Sequence, residues 1–487
     1  MAQVSPAASR AVIALPLLAL LLVPPPGACA GAPQAPQSPA LAAIRNAGDA
    51  AALWQRLGEA GTPLIEALPD EPGNMLVTFL WRDAAVDGAH NIAVSGGFLL
   101  DQDKVIDPLV RLAGTDILWR SYVLPADARF SYYFVAPRGR SVAPDAVWTE
   151  RVDGVTQEFF ADPLARRHYT EVTLDGARHR ISWAEGPAAP AEPALVAAQR
   201  GGKLLDYTID STVLGERRPV SVYVPAAAAR GDVAARSGLA ARGDLAARSD
   251  LPGLLLMFDR EGFLSAADVP AMLEQMIAAG RIAPMIAVFV GAIDDAHRGR
   301  DLPPNPAFQA FLGHELLPFV RERHPFSTDP ARNVVAGSSY GGLAAAATGL
   351  AQPALFGNVI SLSGSYWWSP GCCDDDGEDE GDTELISADA GWLIGEYARE
   401  PRRELRLFLD VGRWEGAGML LPNRMMRDVL TARGHEFAYE EYSGGHDIIQ
   451  WRANLPRALE YVTAPRRPLP SATPPRAAPP DAHSPGR

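Results

Sequence analysis

Two patterns of hydrophobic and polar positions follow one another along the chain, and they change near residue 203. After that point, apolar runs of strand length alternate with longer segments in which apolar residues recur with a helical period. The strand-like runs read RPVSVYVP, GLLLMF, PMIAVFVG, RNVVAG, GNVISLSG, LRLFLDVG and FAYEEYSG, and the helical segments lie near residues 268–279, 307–323, 341–351 and 420–432. Such alternation is typical of α/β proteins with a mostly parallel, doubly wound sheet. We predict a domain of this class for residues 203–463.

Before residue 203 the pattern consists of short β-like runs that are broken by turn residues. These runs read LVTFLWR, NIAVSG, ILWRSYVLP, RFSYYFV, YTEVTLDG and HRISW. They predict a smaller all-β domain, an immunoglobulin-like sandwich over residues 50–183. Residues 184–202 are rich in Pro, Ala and Gly and are predicted to link the two domains.

The N-terminus has the pattern of a targeting segment. Arg10 precedes the apolar run AVIALPLLALLLV, which is shorter than the roughly 20 residues of a membrane helix. Ala28 and Ala30 then form an A-x-A cleavage site. We therefore predict a signal peptide at residues 1–30, a periplasmic protein and no stable membrane association. A lipoprotein anchored through Cys29 is the alternative, but the position of the lipobox aliphatic residue holds proline.

Further segments lack the apolar residues of a packed core. Residues 31–49 and 464–487 are predicted to be disordered. Residues 229–250 repeat an eleven-residue unit and, like the acidic segment at 371–382, are interpreted as surface insertions.

Composition limits the classes of protein and of site. The chain has 487 residues, 47% of them hydrophobic, which is enough for two domains with cores. The formal net charge of −14 argues against a nucleic-acid partner. Only Cys372 and Cys373 remain after removal of the leader, so a disulfide framework is excluded. No histidine or second cysteine pair lies near them with ligand spacing, and we predict neither a metal site nor a cofactor.

A serine between glycines provides the first candidate chemistry. Residues 337–341 read GSSYG, between the predicted strand NVV and the predicted helix GGLAAAATGL. In the G-x-S-x-G motif the serine occupies a sharp strand-to-helix turn, and the glycines are needed because side chains would collide there. Ser339 is therefore the predicted nucleophile. The backbone N–H of Tyr340, at the helix N-terminus, is a predicted oxyanion donor.

A histidine and an acid are expected downstream, because the chain order in this fold is nucleophile, acid, histidine. His446 lies in the turn SGGHD directly after the last predicted strand, whereas His297 and His324 come before the nucleophile. The segment LFLDVGRWEG offers two carboxylates that could orient the histidine. Glu415 lies further into the loop and has the better reach, and Asp410 stays the alternative.

These motifs stand within a wider match to a known family. The chain resembles the enterochelin (enterobactin) esterases over nearly the whole length after the leader. The matching blocks are VTFLWR, TDILWRSYVLP, FSYYF and ADPL in the first predicted domain, and IDDAHRGRDLPPN, ELLPFV, VVAGSSYGGLAA, LFGNVISLSGSYWW and GGHDIIQWR in the second. The resemblance implies an α/β-hydrolase that cleaves a cyclic triserine trilactone bearing catechol amides, as the ferric or apo siderophore. It places the catalytic elements on Ser339, His446 and Glu415. The predicted leader departs from the best-known members, which act in the cytoplasm.

Aromatic residues near the predicted nucleophile suit a flat aryl ligand. Tyr366, Trp367 and Trp368 follow the strand after the elbow, and Trp451 follows the histidine by five positions. We predict that they bind the catechol rings, with core packing as the alternative for each tryptophan.

Basic residues follow the predicted strand PMIAVFVG. Arg298 and Arg300 lie in the segment DDAHRGR, at the carboxyl rim of the sheet, where open α/β sheets bind ligands. We predict that they counter the charge of a catecholate complex. The loop after LLLMFD reads REG where the family pattern has Asp-Gly first, and the backbone of Glu261 is predicted as the second oxyanion donor.

Three hypotheses for function follow. The preferred one is a serine esterase acting on a catecholate siderophore, and the second is an exported aryl or feruloyl-type esterase whose sandwich domain binds carbohydrate. The third, a binding module on a degenerate hydrolase, conflicts with the intact order of serine, acid and histidine. The oligomeric state is left open.

Overall fold

The computed structural model describes residues 38–44, 46–83, 91–99, 106–137, 148–152, 154–192, 201–228, 251–371 and 391–466. The predicted signal peptide with Cys29, the insertion at 229–250, the cysteine pair and nearly all of the acidic insertion lie outside these residues. Most of the predicted C-terminal tail lies outside them as well.

The N-terminal part is rich in strands, which form two sheets. Its described elements are α1 (Pro39–Ala42), α2 (Ala47–Ala60), β1 (Leu64–Ala67), β2 (Asn74–Arg82), β3 (Ala93–Gly96), β4 (Asp107–Pro108), β5 (Val110–Arg111), β6 (Ile117–Pro125), β7 (Arg129–Pro137), β8 (Trp148–Val152), β9 (Val155–Phe160), β10 (His168–Val172) and β11 (Arg178–Glu185). One sheet has the order β1-β2-β6-β5. The other follows β10-β11-β7-β3-β4, with β9 pairing β7 and β8 pairing β9.

Alternating residues of strands from both sheets build one shared core. In a strand, every second side chain points to the same face. On β2 the inner residues include Val77 and Phe79, and on β7 they include Phe130 and Tyr132. The Phe79 ring stacks on Phe98 with centroids 4.7 Å apart, which joins the two sheets.

Two predicted boundaries of this part are wrong within the described residues. Residues 31–49 were expected to be disordered, yet α1 and the start of α2 lie there, and Asn46 caps α2 by accepting from the N–H groups of Gly48 and Asp49. Leu53 and Trp54 of α2 are buried against the sheet, which explains why the helix is ordered. The predicted linker also begins too early, because β11 runs to Glu185 and the N–H of Ala188 donates to Ala126 O at 2.9 Å.

The second part is an α/β domain with an eight-stranded sheet. Its strands are β12 (Lys203–Ser211), β13 (Glu216–Val224), β14 (Gly253–Met257), β15 (Met285–Val290), β16 (Asn333–Ser338), β17 (Asn358–Leu362), β18 (Arg406–Gly412) and β19 (Glu436–Tyr442). Its described α-helices are α3 (Arg260–Ser265), α4 (Val269–Ala278), α5 (Asp295–Asp301), α6 (Pro306–Phe311), α7 (Leu317–Arg323), α8 (Tyr340–Ala351), α9 (Trp392–Arg399), α10 (Gly416–Ala432) and α11 (Ile448–Thr463). The strand order is β12-β13-β15-β14-β16-β17-β18-β19.

The strands from β14 to β19 pair in parallel, and the β12–β13 hairpin adds an antiparallel edge. Every residue of β14, β15, β16, β17 and β18 is buried, as expected for strands covered on both faces. Alternate side chains enter two separate cores. Residues of α6, α7, α8, α9 and α10 belong to one core, and residues of α3, α4 and α11 belong to the other.

The predicted strands of this domain all lie within one or two residues of the observed ones, but several elements were missed. Strand β12 and helices α3, α5, α9 and α11 were not predicted. The helix expected at 307–323 is interrupted by a π-helical turn at Leu312–Leu316. Among the described helices, none has the length and apolar character needed to cross a membrane.

Candidate active site

The nucleophile elbow is formed where β16 turns into α8. Ser339 lies between these two elements with φ 56° and ψ −126°, a backbone conformation that costs energy for a residue with a side chain. A Cβ on Gly337 would collide with the backbone of Gly341, and a Cβ on Gly341 would lie 2.7 Å from Asp259 Oδ2. Both glycines of the motif are therefore required by close contacts.

Backbone hydrogen bonds fix Ser339 in this conformation. Its N–H donates to Leu362 O at 2.9 Å, and its own carbonyl accepts from the N–H of Leu343 at 3.1 Å and from the N–H of Ser365 at 3.2 Å. The Ser339 Oγ lies 3.5 Å from Ser365 Oγ. Tyr340 is the first residue of α8, so its N–H lies at the positive end of the helix dipole, where negative charge is favoured. This position suits the predicted oxyanion donor.

The predicted histidine and one of the two candidate acids are in direct contact. His446 Nδ1 lies 2.8 Å from Glu415 Oε2. The His446 side chain is 39% exposed, whereas the Glu415 side chain is 0% exposed. A buried carboxylate at this ring nitrogen fixes the tautomer whose other nitrogen can accept a proton.

Glu415 is held in its ionised form by several donors. Its Oε1 accepts from Ser363 Oγ at 2.6 Å, from the N–H of Gly412 at 2.6 Å and from Tyr442 Oη at 3.0 Å. Burial alone would raise the pKa of Glu415, but the contacts with His446, Ser363 and Gly412 outweigh it and lower the pKa. The carboxylate next to His446 is therefore charged.

Asp410, the alternative acid, occupies a different environment. Its Oδ1 accepts from the N–H of Ser363 at 3.1 Å, and its Oδ2 accepts from Asn454 Nδ2 at 2.7 Å. Burial raises the pKa of Asp410 to about 8. The geometry therefore favours Glu415 as the partner of His446, and it gives Asp410 a structural position beneath the site.

Ser363 is a residue of this site that the sequence analysis missed. Its Oγ donates to Glu415, accepts from Trp451 Nε1 at 2.9 Å and lies 2.9 Å from Tyr442 Oη. Ser363 has φ 46°, a left-handed conformation that side chains rarely adopt. Ser363 comes directly after β17, which pairs with β16, the strand that leads to Ser339. This position in the sequence is the signal that would have identified it.

Only part of the predicted aromatic set faces the nucleophile. Trp367 is half-buried, and its ring lies 5.7 Å from the ring of Tyr340. The Trp367 indole N–H approaches Met419 Sδ at 3.1 Å. Trp368 is also half-buried, but it packs edge-on against Trp392 and borders the core. Trp367 is thus the aromatic residue of SYWW best placed to contact a ligand.

The prediction that Tyr366 and Trp451 bind ligand directly is not supported by their surroundings. Tyr366 is 1% exposed, and its hydroxyl donates to Ser361 Oγ at 2.7 Å, so it is a core residue. Trp451 is 8% exposed and lies edge-on to the His446 ring at 4.8 Å. The Trp451 indole contacts the His446 ring and donates a hydrogen bond to Ser363 Oγ.

The two predicted cationic residues are already paired. Arg298 donates from Nε and Nη2 to the two carboxylate oxygens of Asp259, at 2.6 and 3.1 Å, and it lies 5.7 Å from the Tyr340 ring. Arg300 donates to Asp301 at 2.7 Å and to Glu216 at 2.8 Å. Both arginines thus have carboxylate partners within the protein, Arg298 lies beside the elbow, and their contact with a catecholate complex stays a prediction.

Glu261, the predicted second oxyanion donor, lies in the first turn of α3. Asp259 precedes this helix with φ 56°, and its carboxylate reaches the elbow glycine, so the start of α3 is adjacent to the nucleophile turn. Burial raises the pKa of the Glu261 side chain. The role of its backbone N–H stays a prediction. Within the described residues, no group of three or more His, Cys, Asp or Glu side chains is placed to hold a metal ion.

Two family models match the chain. Residues 211–462 match the family described as "Putative esterase", and residues 76–195 match the family described as "Enterochelin esterase, N-terminal". The boundary between the two matches falls where the two parts of the fold meet.

Several similar proteins and structures are named enterobactin or salmochelin esterases. The iron(III) enterobactin esterase of Dickeya dadantii is 32% identical over 83% of this chain and 91% of that protein. The iron(III) salmochelin esterase of Escherichia coli is 27% identical over 85% of this chain and 96% of that protein. The ferric enterobactin esterase structure from Salmonella typhimurium has a TM-score of 0.65 at 26% identity and covers 85% of this chain and 98% of its own. A Shigella flexneri enterobactin esterase, crystallised in the presence of enterobactin, has a TM-score of 0.63 at 25% identity and covers 84% of this chain and 97% of its own.

Proposed function

The chain belongs to the enterobactin esterase family, and from this membership we propose that it is a serine esterase that hydrolyses the trilactone of a catecholate siderophore. The single observation that carries the catalytic part is the 2.8 Å contact between His446 Nδ1 and buried Glu415, in the same domain as a serine on a strained elbow. The substrate class rests on the family, whose members are named for iron(III) enterobactin and iron(III) salmochelin.

The proposed reaction follows from the roles of the three side chains. The outer nitrogen of His446 takes the proton of Ser339 Oγ while that oxygen attacks the lactone carbonyl carbon. The carbonyl oxygen becomes negative and is held by the backbone N–H of Tyr340 and a second donor at the start of α3. The bond between the carbonyl carbon and the lactone ring oxygen then breaks. The protonated His446 gives its proton to that oxygen, which belongs to a serine unit of the substrate, and the ring opens.

Water completes the cycle. His446 takes a proton from a water molecule, the resulting hydroxide attacks the acyl-enzyme, and Ser339 leaves with the proton returned by His446. Glu415 stays ionised throughout and stabilises the charged imidazole. The product is a ring-opened ester, and iron bound by the catecholate groups is part of the substrate rather than a resident cofactor.

We also propose the finer features of the fold and the location. The two N-terminal sheets with one shared core suit an immunoglobulin-like sandwich, and helices on both faces of the parallel strands suit a doubly wound sheet. The leader sequence suits export to the periplasm. Mass spectrometry of the mature protein from the native host tests the location, because a chain starting near residue 31 supports export and an intact Met1 contradicts it.

One comparison of substrates tests the proposed function. Purified protein is given ferric enterobactin, apo enterobactin and methyl ferulate, and the products are separated by chromatography. We expect ring-opened products from the trilactone at a kcat/KM well above that for methyl ferulate. A preference for methyl ferulate would instead identify an aryl esterase.

A further inference from the structure

The loop that carries the catalytic histidine is bound by the N-terminal domain. The N–H of Arg129 donates to Ser443 O at 3.4 Å, and the N–H of Ser131 donates to Asp447 Oδ2 at 2.6 Å. Both donors lie on β7, and both acceptors lie within three residues of His446. Two backbone donors of one domain thus hold the two ends of a short loop of the other.

The register of the N-terminal sheet leaves the Ser131 N–H available for this contact. On one side of β7, Ser131 pairs with Trp183 of β11, whose own N–H donates away from β7 to Arg167 O. On the other side, β3 ends at Gly96, which pairs with Tyr132, so Ser131 lies one residue beyond that pairing. A strand N–H at the end of a ladder needs another acceptor when it is buried at an interface. The carboxylate of Asp447 supplies it.

Close contact between two glycines forms the second part of this interface. A Cβ on Gly445 would collide with the carbonyl group of Gly97, and the nearest atoms it meets all belong to that residue of the N-terminal domain. A Cβ on Gly97 would have ordinary contacts, the nearest at 3.7 Å. The glycine before the catalytic histidine is therefore required by the neighbouring domain.

Asp447 connects this interface to the helix after the loop. Its Oδ2 accepts from Ser131, while its Oδ1 accepts from the N–H of Ile449 at 3.2 Å and caps α11. Asp447 is 4% exposed, and residues 443–445 are buried, whereas His446 between them is exposed. A carboxylate can accept on both oxygens, but an amide can accept on only one.

We propose that Asp447 is a positioning residue, through which the N-terminal domain holds the backbone of the catalytic histidine. Glu415 fixes the ring at Nδ1, and Trp451 supports one edge of the ring, but neither of these two contacts fixes the peptide that follows His446. The bond from the Ser131 N–H anchors the side chain of Asp447, the residue that follows His446. The proposal rests on the esterase function proposed above, but not on the identity of the ester.

The variant Asp447→Asn separates the cap of α11 from the contact between domains. Asparagine can keep its oxygen on the Ile449 N–H, but its NH₂ group then faces the Ser131 N–H, donor against donor. We expect kcat for a small neutral ester, p-nitrophenyl acetate, to fall about tenfold to a hundredfold with KM nearly unchanged, because the histidine is displaced while the ester still binds. Circular dichroism and a thermal melt verify that the variant is folded.

Glu192→Gln is the matched control for a general loosening of the interface. Glu192 binds Arg452 of α11 across the same interface, at 2.5 and 3.0 Å, away from the histidine loop. We expect this variant to keep the wild-type kcat. A wild-type kcat in folded Asp447→Asn, or an equal loss in Glu192→Gln, would overturn the proposal.

A second pair of variants decides the question if Asp447→Asn does not fold. Gly445→Ala should lower kcat, because its methyl group must displace the loop from Gly97, whereas Gly97→Ala should not. Equal kcat values in these two variants would contradict the positioning role. Since the assay uses a generic ester, failure of the wild type to cleave a trilactone would reject the proposed substrate and leave this comparison intact.

Discussion

At the scale of single residues, the site is organised around one buried carboxylate. Glu415 receives hydrogen bonds from the hydroxyls of Ser363 and Tyr442 and from the N–H of Gly412 besides its contact with His446. Each of these donors stabilises the negative charge in a place from which water is excluded. Ser363 also accepts from Trp451, so one side chain links the acid to the aromatic ring that supports the histidine.

The two candidate acids can be separated by a pair of isosteric substitutions. Both oxygens of Glu415 face donors, so in Glu415→Gln the NH₂ group must face one of them. The substitution also removes the negative charge next to the imidazole, and we therefore expect kcat to fall about a hundredfold to ten-thousandfold. Asp410 contacts Ser363 and Asn454 but not His446, so we expect Asp410→Asn to lower kcat by less than about tenfold. Steady-state kinetics with p-nitrophenyl acetate measures both. A larger loss in Asp410→Asn would make Asp410 the functional acid.

Sequence reasoning reached some of these residues because local patterns define them. Ser339 lies in a five-residue motif, and His446 lies in a glycine-flanked turn, so both were found from neighbours in the chain. Ser363 and Asp447 act through partners 52 and 316 positions away, respectively, and no local pattern identifies such contacts. For the same reason, Tyr366 was taken for a ligand residue, although its side chain points into the core.

At the scale of elements, the start of α3 and the start of α8 meet at the elbow. Asp259 precedes α3 and contacts the position of Gly341 in α8, and it also binds Arg298 of α5 through both oxygens. The loops after β14, β15 and β16 are thus joined at the carboxyl edge of the sheet, where ligands of open α/β sheets bind.

The pairing of Arg298 changes what its removal should do. In Arg298→Ala the Asp259 carboxylate loses its partner next to the elbow, so we expect kcat/KM to fall by a similar factor for a ferric triscatecholate ester and for p-nitrophenyl acetate. Arg298→Lys keeps the charge but loses the two-pronged contact and should be intermediate. A loss confined to the charged substrate would mean that Arg298 contacts the ligand.

The elements themselves were predicted unevenly, for physical reasons. Strands β14 to β18 are buried at every position because both faces are covered, and their largely apolar runs are visible in the sequence. Helix α11 was missed because it begins directly at the catalytic turn and carries Pro456 in its interior. Strand β8 was missed because its exposed polar residues dilute the pattern, and β9 was missed because three polar residues in a row, Thr156 to Glu158, interrupt its apolar positions.

At the scale of the whole molecule, the N-terminal domain directly contacts the loops of the candidate active site. The Phe130 ring of β7 lies 6.4 Å from the ring of Trp414, the neighbour of Glu415, and β7 also binds the loop that carries His446. The candidate active site is thus contacted by both domains. The sequence predicted two domains and their classes but not this contact, because it joins residues far apart in the chain.

The central claim is that Ser339 opens a catecholate trilactone through a covalent ester, and mass spectrometry of products and enzyme tests it most directly. Wild-type protein and Ser339→Ala are incubated with ferric enterobactin, quenched with acid and analysed for soluble products and for mass added to the peptide that contains residue 339. We expect ring-opened products and a transient acyl adduct on that peptide in the wild type, and neither in the folded Ser339→Ala variant. Wild-type turnover by Ser339→Ala, or an intact trilactone after incubation with active wild type, would contradict the account.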